Sequence, residues 1–405
     1  MINFIFDEEM KVAIIIERAD INLGGAERSV FEMAEAISKI GIEVDILAAK
    51  GYRDTKNLHL LCGDNQSKRT GYFTFAKAIK RHLSENRYDL IHSVLPFTFA
   101  DIYQPRGGTY AETILRNAES FQNKFVVSYK KLTAFTNFHR SVLLHAERRL
   151  CRADKSGPLI IAISKYVAEQ FKRHYSVGDD RILIVPNGIK IRTEIDSDKA
   201  GKLRTQIFAQ LEINESDNPV FFLFAANNFR LKGLDVLIRA MRLVTNLRTP
   251  RPGYLIVVGN GDMRKYQRVA NEIDSYNVNK RIIFLGPVTH IQSVLSISDV
   301  VVLPTFYDPC SRVILEALAA GKPVITTRFN GATDFFVDDR HGKVIDSPED
   351  VTALADAINY FTNTDNIQKA SNAIAVDNLK DKISINRVAE QLISIYKTIL
   401  EKRRQ

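Results

Sequence analysis

Short, unbroken runs of Val, Ile, Leu, Ala and Phe recur along this chain, separated by helical patterns, and few folds tolerate that rhythm. In the first half the runs are Val12–Ile16, Val44–Ala49, Leu90–Val94, Leu159–Ile163 and Ile182–Val185. After the first of them, Val30, Met33, Ala34, Ile37 and Ile40 fall at helical spacing until Gly41 closes the pattern. Strands apolar on both faces and alternating with helices indicate a parallel sheet covered on both sides. The rhythm restarts with Val220–Ala225, Tyr254–Val258, Ile282–Leu285, Val300–Leu303 and Val324–Thr326. Helices are expected between them over Gly233–Leu247, Met263–Asn277 and Arg312–Ala320. The polar stretch Lys190–Asn218 reads as a linker carrying a first surface helix, and Ile383–Gln405 as a long final helix.

A chain of 405 residues suits two domains of about 200 residues each. The expected fold class is therefore α/β, with two doubly wound, Rossmann-like domains facing across a cleft. Their expected bounds are 10–190 and 191–382, with a helix over 383–405 packing back toward the N-terminal domain. Residues 1–9 read as an upstream extension that adds nothing to the fold. They hold two acids and no long apolar run, unlike a signal peptide. No stretch of about 18 apolar residues predicts a membrane-spanning helix. Cys62, Cys151 and Cys310 are odd in number and far apart, which suits a reducing, cytoplasmic setting and neither a disulfide framework nor a metal site.

The net charge of +9 suits nucleic acid, anionic lipid or a phosphorylated small molecule, and composition does not choose among them. Part of the excess lies in 113–155, which departs from the strand–helix rhythm. It carries nine Lys and Arg against three acids, with Phe121, Phe125, Val126, Val127, Tyr129, Leu132, Phe135 and Phe138 interleaved. Two readings stand side by side. One is a basic, aromatic, helical insertion that meets an anionic membrane surface or a lipid-linked acceptor. The other is an ordinary helical excursion with its aromatics packed inward and a solvated basic face.

The sharpest chemical signal runs from Tyr307 to Thr326. Pro304–Ser311 is the loop leaving the carboxyl end of the Val300–Leu303 strand, the edge at which doubly wound sheets bind ligands. The helix opening near Arg312 aims its first N–H groups, around Cys310, Ser311, Arg312 and Val313, at that edge. Such an end suits a diphosphate. Asp308 and Glu316, eight positions apart, supply acceptors for sugar hydroxyls and for a ribose diol. Alone, Glu316 would read as a surface charge on a helix. Glycines Gly24 and Gly25, after the first strand, allow a backbone to approach a phosphate closely, although a glycine pair is also a common turn. Gly259-Asn260-Gly261-Asp262 and Gly286-Pro287-Val288 end strands and read as turns. Ser164 reads as a helix cap.

The Tyr307–Thr326 segment, with Asn330-Gly331 beyond it, resembles the acidic-x7-Glu signature of retaining glycosyltransferases of family 4, the family of sucrose synthases and lipopolysaccharide-core glucosyltransferases. The first acid there is usually Glu, and Asp308 is one methylene shorter. The resemblance covers nearly the whole chain, least so over 113–155, and implies the two-domain GT-B fold. It implies a nucleotide-diphosphate sugar, with UDP-glucose as the first donor to consider, held by Lys232, Arg312, the helix-end amides and the Gly24–Gly25 loop. Lys232 before Gly233 matches the family's diphosphate lysine. Arg230 stands nearer the lysine than the family's arginine, at whose position this chain has Asn227; it reads as a shifted phosphate ligand or as a solvated side chain. The backbone of Gly286 and Val288 would read the base. Asp101 is named as the sugar-contacting acid, with His92 in reserve, His92 also reading as a satisfied core histidine. The implied activity is retaining hexosyl transfer to a glycan or lipid-linked glycan in cell-envelope or polysaccharide biosynthesis, with no metal and no cofactor. The implied place is the cytoplasm, at the inner face of the membrane. The rival readings are a nucleotide-sugar epimerase on the same fold, a non-catalytic nucleotide or glycan-binding module, and a nucleic-acid-binding protein. The last lacks any recognised binding motif, so no nucleic-acid partner is expected.

Overall fold

The computed structural model describes residues 10–52, 56–63, 70–121, 123–133, 137–152, 157–191, 196–245, 247, 249–273, 277–289 and 291–404. The expectations for residues 1–9, and for Phe135, Asp154 and Lys155 in the basic segment, lie outside them. The chain divides by its packing into two compact units, one of residues 1–115, 128–190 and 384–405, the other of 116–127 and 191–383.

The first unit holds strands β1 (Lys11–Ala19), β2 (Glu43–Gly51), β3 (Leu58–Leu60), β4 (Leu90–Ser93), β5 (Ile102–Tyr103), β6 (Leu159–Ala162) and β7 (Ile182–Ile184). They form one parallel sheet in the order β3-β2-β1-β4-β5-β6-β7. In β1, Ile14 and Ile16 turn to one face, where helices Gly25–Ser38 and Ile385–Arg404 cover them with Met33, Ile37, Leu392 and Tyr396. Ala13 and Ile15 turn to the other, against Phe75, Ile79, Phe97 and Leu143. Burial on both faces is why the strand reads as an unbroken apolar run. The final helix is tied to the end of this unit by the Ile385 N–H, which donates to the Ile189 carbonyl at 2.9 Å.

The second unit holds β8 (Val220–Ala225), β9 (Gly253–Val258), β10 (Ile282–Gly286), β11 (Val300–Leu303), β12 (Val324–Thr327) and β13 (Gly342–Ile345), all parallel in the order β10-β9-β8-β11-β12-β13. Strand order reverses between β1 and β4 in one unit and between β8 and β11 in the other. Each reversal leaves a crevice at the carboxyl ends of its own sheet's strands.

The helix after β8 runs Leu234–Thr245 and that after β11 runs Arg312–Ala319; the helix expected over Met263–Asn277 ends at Glu272. The linker carries a helix over Ser197–Leu211, capped by the Asp196 carboxylate on the Lys199 N–H. Ser164 caps the helix Lys165–Tyr175 through the Val167 N–H, as its sequence context predicts. The basic segment is helical, in pieces Tyr110–Glu119, Lys124–Leu132 and Phe138–Arg152. Phe125, Tyr129 and Phe138 are 62 to 87% exposed, as is Leu132, so inward packing is corrected for these three aromatics. Among the described residues no helix is long and apolar enough to cross a membrane.

Candidate active site at the strand reversal of the second unit

The loops leaving β8 and β11 flank the reversal point, and the backbone brings them together. Gly233 has φ +80°, and a Cβ there would lie 2.1 Å from the Pro304 carbonyl oxygen, so only glycine lets the loops touch. Beside it, the Phe306 N–H donates to the Leu231 carbonyl at 2.9 Å, and the Thr305 hydroxyl reaches the same carbonyl at 3.2 Å. Within the first loop, the Lys232 N–H donates to the Asn228 carbonyl and the Gly233 N–H to the Arg230 carbonyl.

This closure sets Lys232 Nζ 2.6 Å from Asp308 Oδ2 and 2.8 Å from the Tyr307 carbonyl oxygen. Asp308 Oδ1 accepts the Cys310 N–H at 3.2 Å. The Asp308 backbone is pinned on both sides, its N–H on the Phe329 carbonyl and its carbonyl on the Gly331 N–H, each at 2.9 Å. Side chains of Lys232 and Asp308 keep 18 and 13% exposure, so the pair is sheltered yet open to solvent on one side.

The helix Arg312–Ala319 opens behind this pair. Its N-cap residue Ser311 makes no side-chain cap, and the Ser311 N–H donates instead to Asn330 Oδ1 at 3.2 Å. Cys310 and Ser311 are buried, Arg312 and Val313 partly so. Arg312 and Glu316 lie one turn apart with Nη2 3.6 Å from Oε1. Of the residues named from the sequence, Lys232, Asp308, Cys310, Ser311, Arg312, Val313 and Glu316 thus share one corner of this sheet. Gly286 ends β10 and Val288 follows it, two strands away at the same edge, and the Gly286 carbonyl accepts the Gly259 N–H at 2.9 Å. Gly24 and Gly25 belong to the first unit, at the carboxyl end of β1, where Gly24 precedes the first turn of its helix. Among the described residues no group of three or more His, Cys, Asp and Glu is placed to hold a metal ion.

Three assignments need correction. Asp101 stands at the amino end of β5, not at the carboxyl end of β4, because the loop from β4 returns across the sheet before the next parallel strand begins. Its carboxylate accepts the Ile91 N–H at 2.7 Å and pairs with Arg403, at the amino ends of the strands and away from the ligand-binding edge. His92 lies inside β4, opposite Ile14 and Ile102, fully buried, with Nδ1 2.7 Å from the Tyr396 hydroxyl. Burial, with Arg106 nearby, pushes its pKa down to about 3. It is the core histidine. Arg230 is not a free, solvated side chain: it is partly buried and bonded within the second unit. Its guanidinium donates to the Asn117 carbonyl at 2.9 Å, to Asn117 Oδ1 at 3.1 Å and to the Ser120 hydroxyl, and stacks 3.8 Å from the centre of the Phe121 ring. Desolvation lowers its pKa.

Asn330 carries more of the site than its sequence context suggests. Fully buried, it accepts the Ser311 and Ala332 N–H groups and donates to the Thr326 hydroxyl, joining the β11 and β12 loops. The Asn-Gly pair signals a turn, but nothing local says that its amide reaches 19 residues back.

The family model described as Glycosyltransferase Family 4 matches residues 23–192, and that described as Glycosyl transferases group 1 matches 204–375. The lipopolysaccharide glucosyltransferase WaaG of Escherichia coli is 24% identical over 337 residues, 80% of this chain and 82% of that protein. An uncharacterized glycosyltransferase of Methanocaldococcus jannaschii is 25% identical over 244 residues; the matched stretch spans 60% of each protein. The crystal structure of WaaG superposes with a TM-score of 0.72 at 20% identity, over 95% of this chain and 99% of that one. Anabaena HepE in complex with UDP-glucose gives 0.66 at 19% identity, over 96% and 100%. Both are GT-B folds, as is this chain. With one glycosyltransferase model on each half, the chain belongs to the family 4 glycosyltransferases, with the lipopolysaccharide-core glucosyltransferases among its relatives.

Proposed function

We propose that this enzyme transfers a hexose from a nucleotide-diphosphate sugar, UDP-glucose being the first donor to try, with retention of configuration. The observation that carries the reading is the Lys232–Asp308 pair, 2.6 Å apart at the head of the helix Arg312–Ala319. The Lys232 ammonium donates to Asp308 Oδ2. An arriving diphosphate carries more negative charge than one carboxylate and draws Lys232 onto itself, which frees Asp308 to accept hydrogen bonds from the sugar hydroxyls. Arg312 and the helix dipole add positive potential where the leaving group develops charge. Glu316 takes the ribose diol, and the Gly286–Val288 backbone serves the base. The acceptor hydroxyl attacks from the face that the diphosphate leaves, and the departing phosphate takes its proton. Fixed cations fill the role a metal would fill.

UDP-glucose is favoured because one structural neighbour was solved with it and one relative is a glucosyltransferase. The acceptor is a glycan or lipid-linked glycan of the cell envelope or of a polysaccharide. The exposed Phe125, Tyr129, Leu132 and Phe138 beside Lys124, Lys130 and Lys131 give the enzyme a face for the anionic inner leaflet of the cytoplasmic membrane. The test is nucleotide diphosphate release from UDP-, GDP- and ADP-sugars, with and without EDTA, followed by the anomeric configuration of the product. Release from one donor, unchanged by EDTA and lost in Asp308→Ala/Glu316→Ala, supports the reading. Failure of the wild type to bind any of UDP, GDP and ADP refutes it.

A further inference from the structure

The two loops that carry Lys232 and Asp308 are held from behind by one short stretch of chain. Arg116, Asn117, Ser120 and Phe121 are spaced i, i+1, i+4, i+5 and continue one helical face past Glu119: the Ser120 N–H donates to the Arg116 carbonyl at 3.0 Å and the Phe121 N–H to the Ala118 carbonyl at 3.2 Å. Asn117, Ser120 and Phe121 together hold both terminal nitrogens of Arg230, with two bonds to Asn117, one to Ser120 and the ring of Phe121 beneath. Arg230 stands two residues before Lys232 on the same tight turn. Arg116, steadied by Glu119 at 2.9 Å, stacks 3.9 Å from the centre of the Phe329 ring. The Phe329 carbonyl is the one that holds the Asp308 N–H. One face of four residues therefore reaches the Lys232 turn at one end and the Asp308 backbone at the other.

We propose that residues 116–121 are a strap whose function is to position Lys232 against Asp308, with Arg230 and Phe329 as its two anchors. A planar guanidinium that is hydrogen-bonded along its edge and stacked on its face has little freedom left, so the turn it sits on is fixed in rotation as well as in place. Lysine at position 230 keeps the charge and loses both the fork and the stack. The strap is a positioning element: none of its residues needs to touch the donor. It rests on the reading of Lys232 as the diphosphate ligand.

The test uses the full chain with Phe121→Leu, Ser120→Ala, Arg230→Lys, Lys232→Ala and Arg230→Lys/Lys232→Ala, and UDP as the titrant. Arg230→Lys is expected to weaken UDP binding about tenfold and Phe121→Leu several-fold, since each loosens the turn that aims Lys232. In the Lys232→Ala background, Arg230→Lys should have no further effect, because the group being aimed is gone; a merely destabilising change would add. An Arg230→Lys effect that persists undiminished without Lys232, with Phe121→Leu silent, would mean that Arg230 meets the phosphate directly and overturns the strap. Hydrogen exchange needs no nucleotide and keeps the two ideas separate. Faster exchange of the Phe306, Asp308 and Cys310 amides in Phe121→Leu supports the strap, and unchanged exchange there overturns it. A wild type that binds no nucleotide refutes only the functional reading.

Discussion

Replacing Gly233 with alanine measures how much the closure of the two loops depends on one missing methyl group. An L-residue held at φ +80° costs about 1–2 kcal/mol. The added Cβ would also lie 2.1 Å from the Pro304 carbonyl oxygen, far inside van der Waals contact. Relief requires that carbonyl to withdraw, which breaks the Phe306 N–H bond to Leu231, and an unmade buried bond costs about 1–3 kcal/mol. The total is about 2–5 kcal/mol. For a unit of this size that is roughly 5–15 °C in Tm. The chain has no tryptophan, so scanning calorimetry is preferred to fluorescence and can resolve the second unit's transition. Gly321→Ala is the matched control: Gly321 also has positive φ, +72°, but nothing lies within 4 Å of its would-be Cβ, so it reports the backbone cost alone. Equal shifts for the two variants would refute the close approach.

Other perturbations have equally definite outcomes. Glu147 is fully buried, accepting from the Tyr103 and Tyr175 hydroxyls and from the Tyr110 N–H, and burial raises its pKa to about 7. Its folded value exceeds its unfolded one, so its contribution is complete below about pH 4.5 and is lost as pH rises through about 7, by on the order of 1–3 kcal/mol. Urea titrations should show that slope in the wild type and not in Glu147→Gln; parallel curves would count against it. Lys130→Glu/Lys131→Glu should lower partitioning onto phosphatidylglycerol vesicles by at least about tenfold at low salt, leaving neutral vesicles unaffected; sedimentation indifferent to lipid charge would remove the membrane face. Asp308→Asn should cut nucleotide diphosphate release by about a hundredfold or more while keeping Tm within about 3 °C; a folded variant with normal release would remove Asp308 from the site. Asp101→Asn should leave release within about twofold, since Asp101 serves the amino ends of the strands.

Where neighbouring residues decide the outcome, the chain is readable. Strands such as β1, β2, β8 and β9 stand out as unbroken apolar runs because both of their faces are buried, and the loop after β11 stands out because Asp308 sits between Pro304 and Pro309 ahead of a helix that carries Glu316. β3, β5 and β13 do not: Leu-His-Leu, Ile-Tyr and Gly-Lys-Val-Ile are too short to show a period, and their neighbours in the sheet make them strands. Arg230 was misread for a related reason. Its partners lie about 110 residues upstream, in a segment that reads locally as a basic, aromatic insertion. Asp101 was misread because its place at the sheet depends on the path of the loop from β4. His92 reads either way, and its full burial in β4 against the Tyr396 hydroxyl, 304 residues away, decides for the core.

The Lys232–Asp308 contact is a poor bargain as a piece of architecture. A partly exposed ion pair adds about 1 kcal/mol or less to stability. Yet its placement uses a glycine in the left-handed region, a buried asparagine joining two loops, and the buried hydroxyls of Thr305, Thr326 and Thr327, each donating to a loop or strand carbonyl. Each of those groups must be desolvated, and a desolvated polar group is costly unless fully bonded. Ordinary packing of apolar side chains would hold the same loops at less cost. What the polar network provides instead is a fixed orientation for one cation and one carboxylate at a solvent-reached strand reversal. Orientation of that kind matters little to folding and much to a reaction in which negative charge develops on a leaving diphosphate. That asymmetry is why Asp308→Asn is expected to cost far more in release than in Tm.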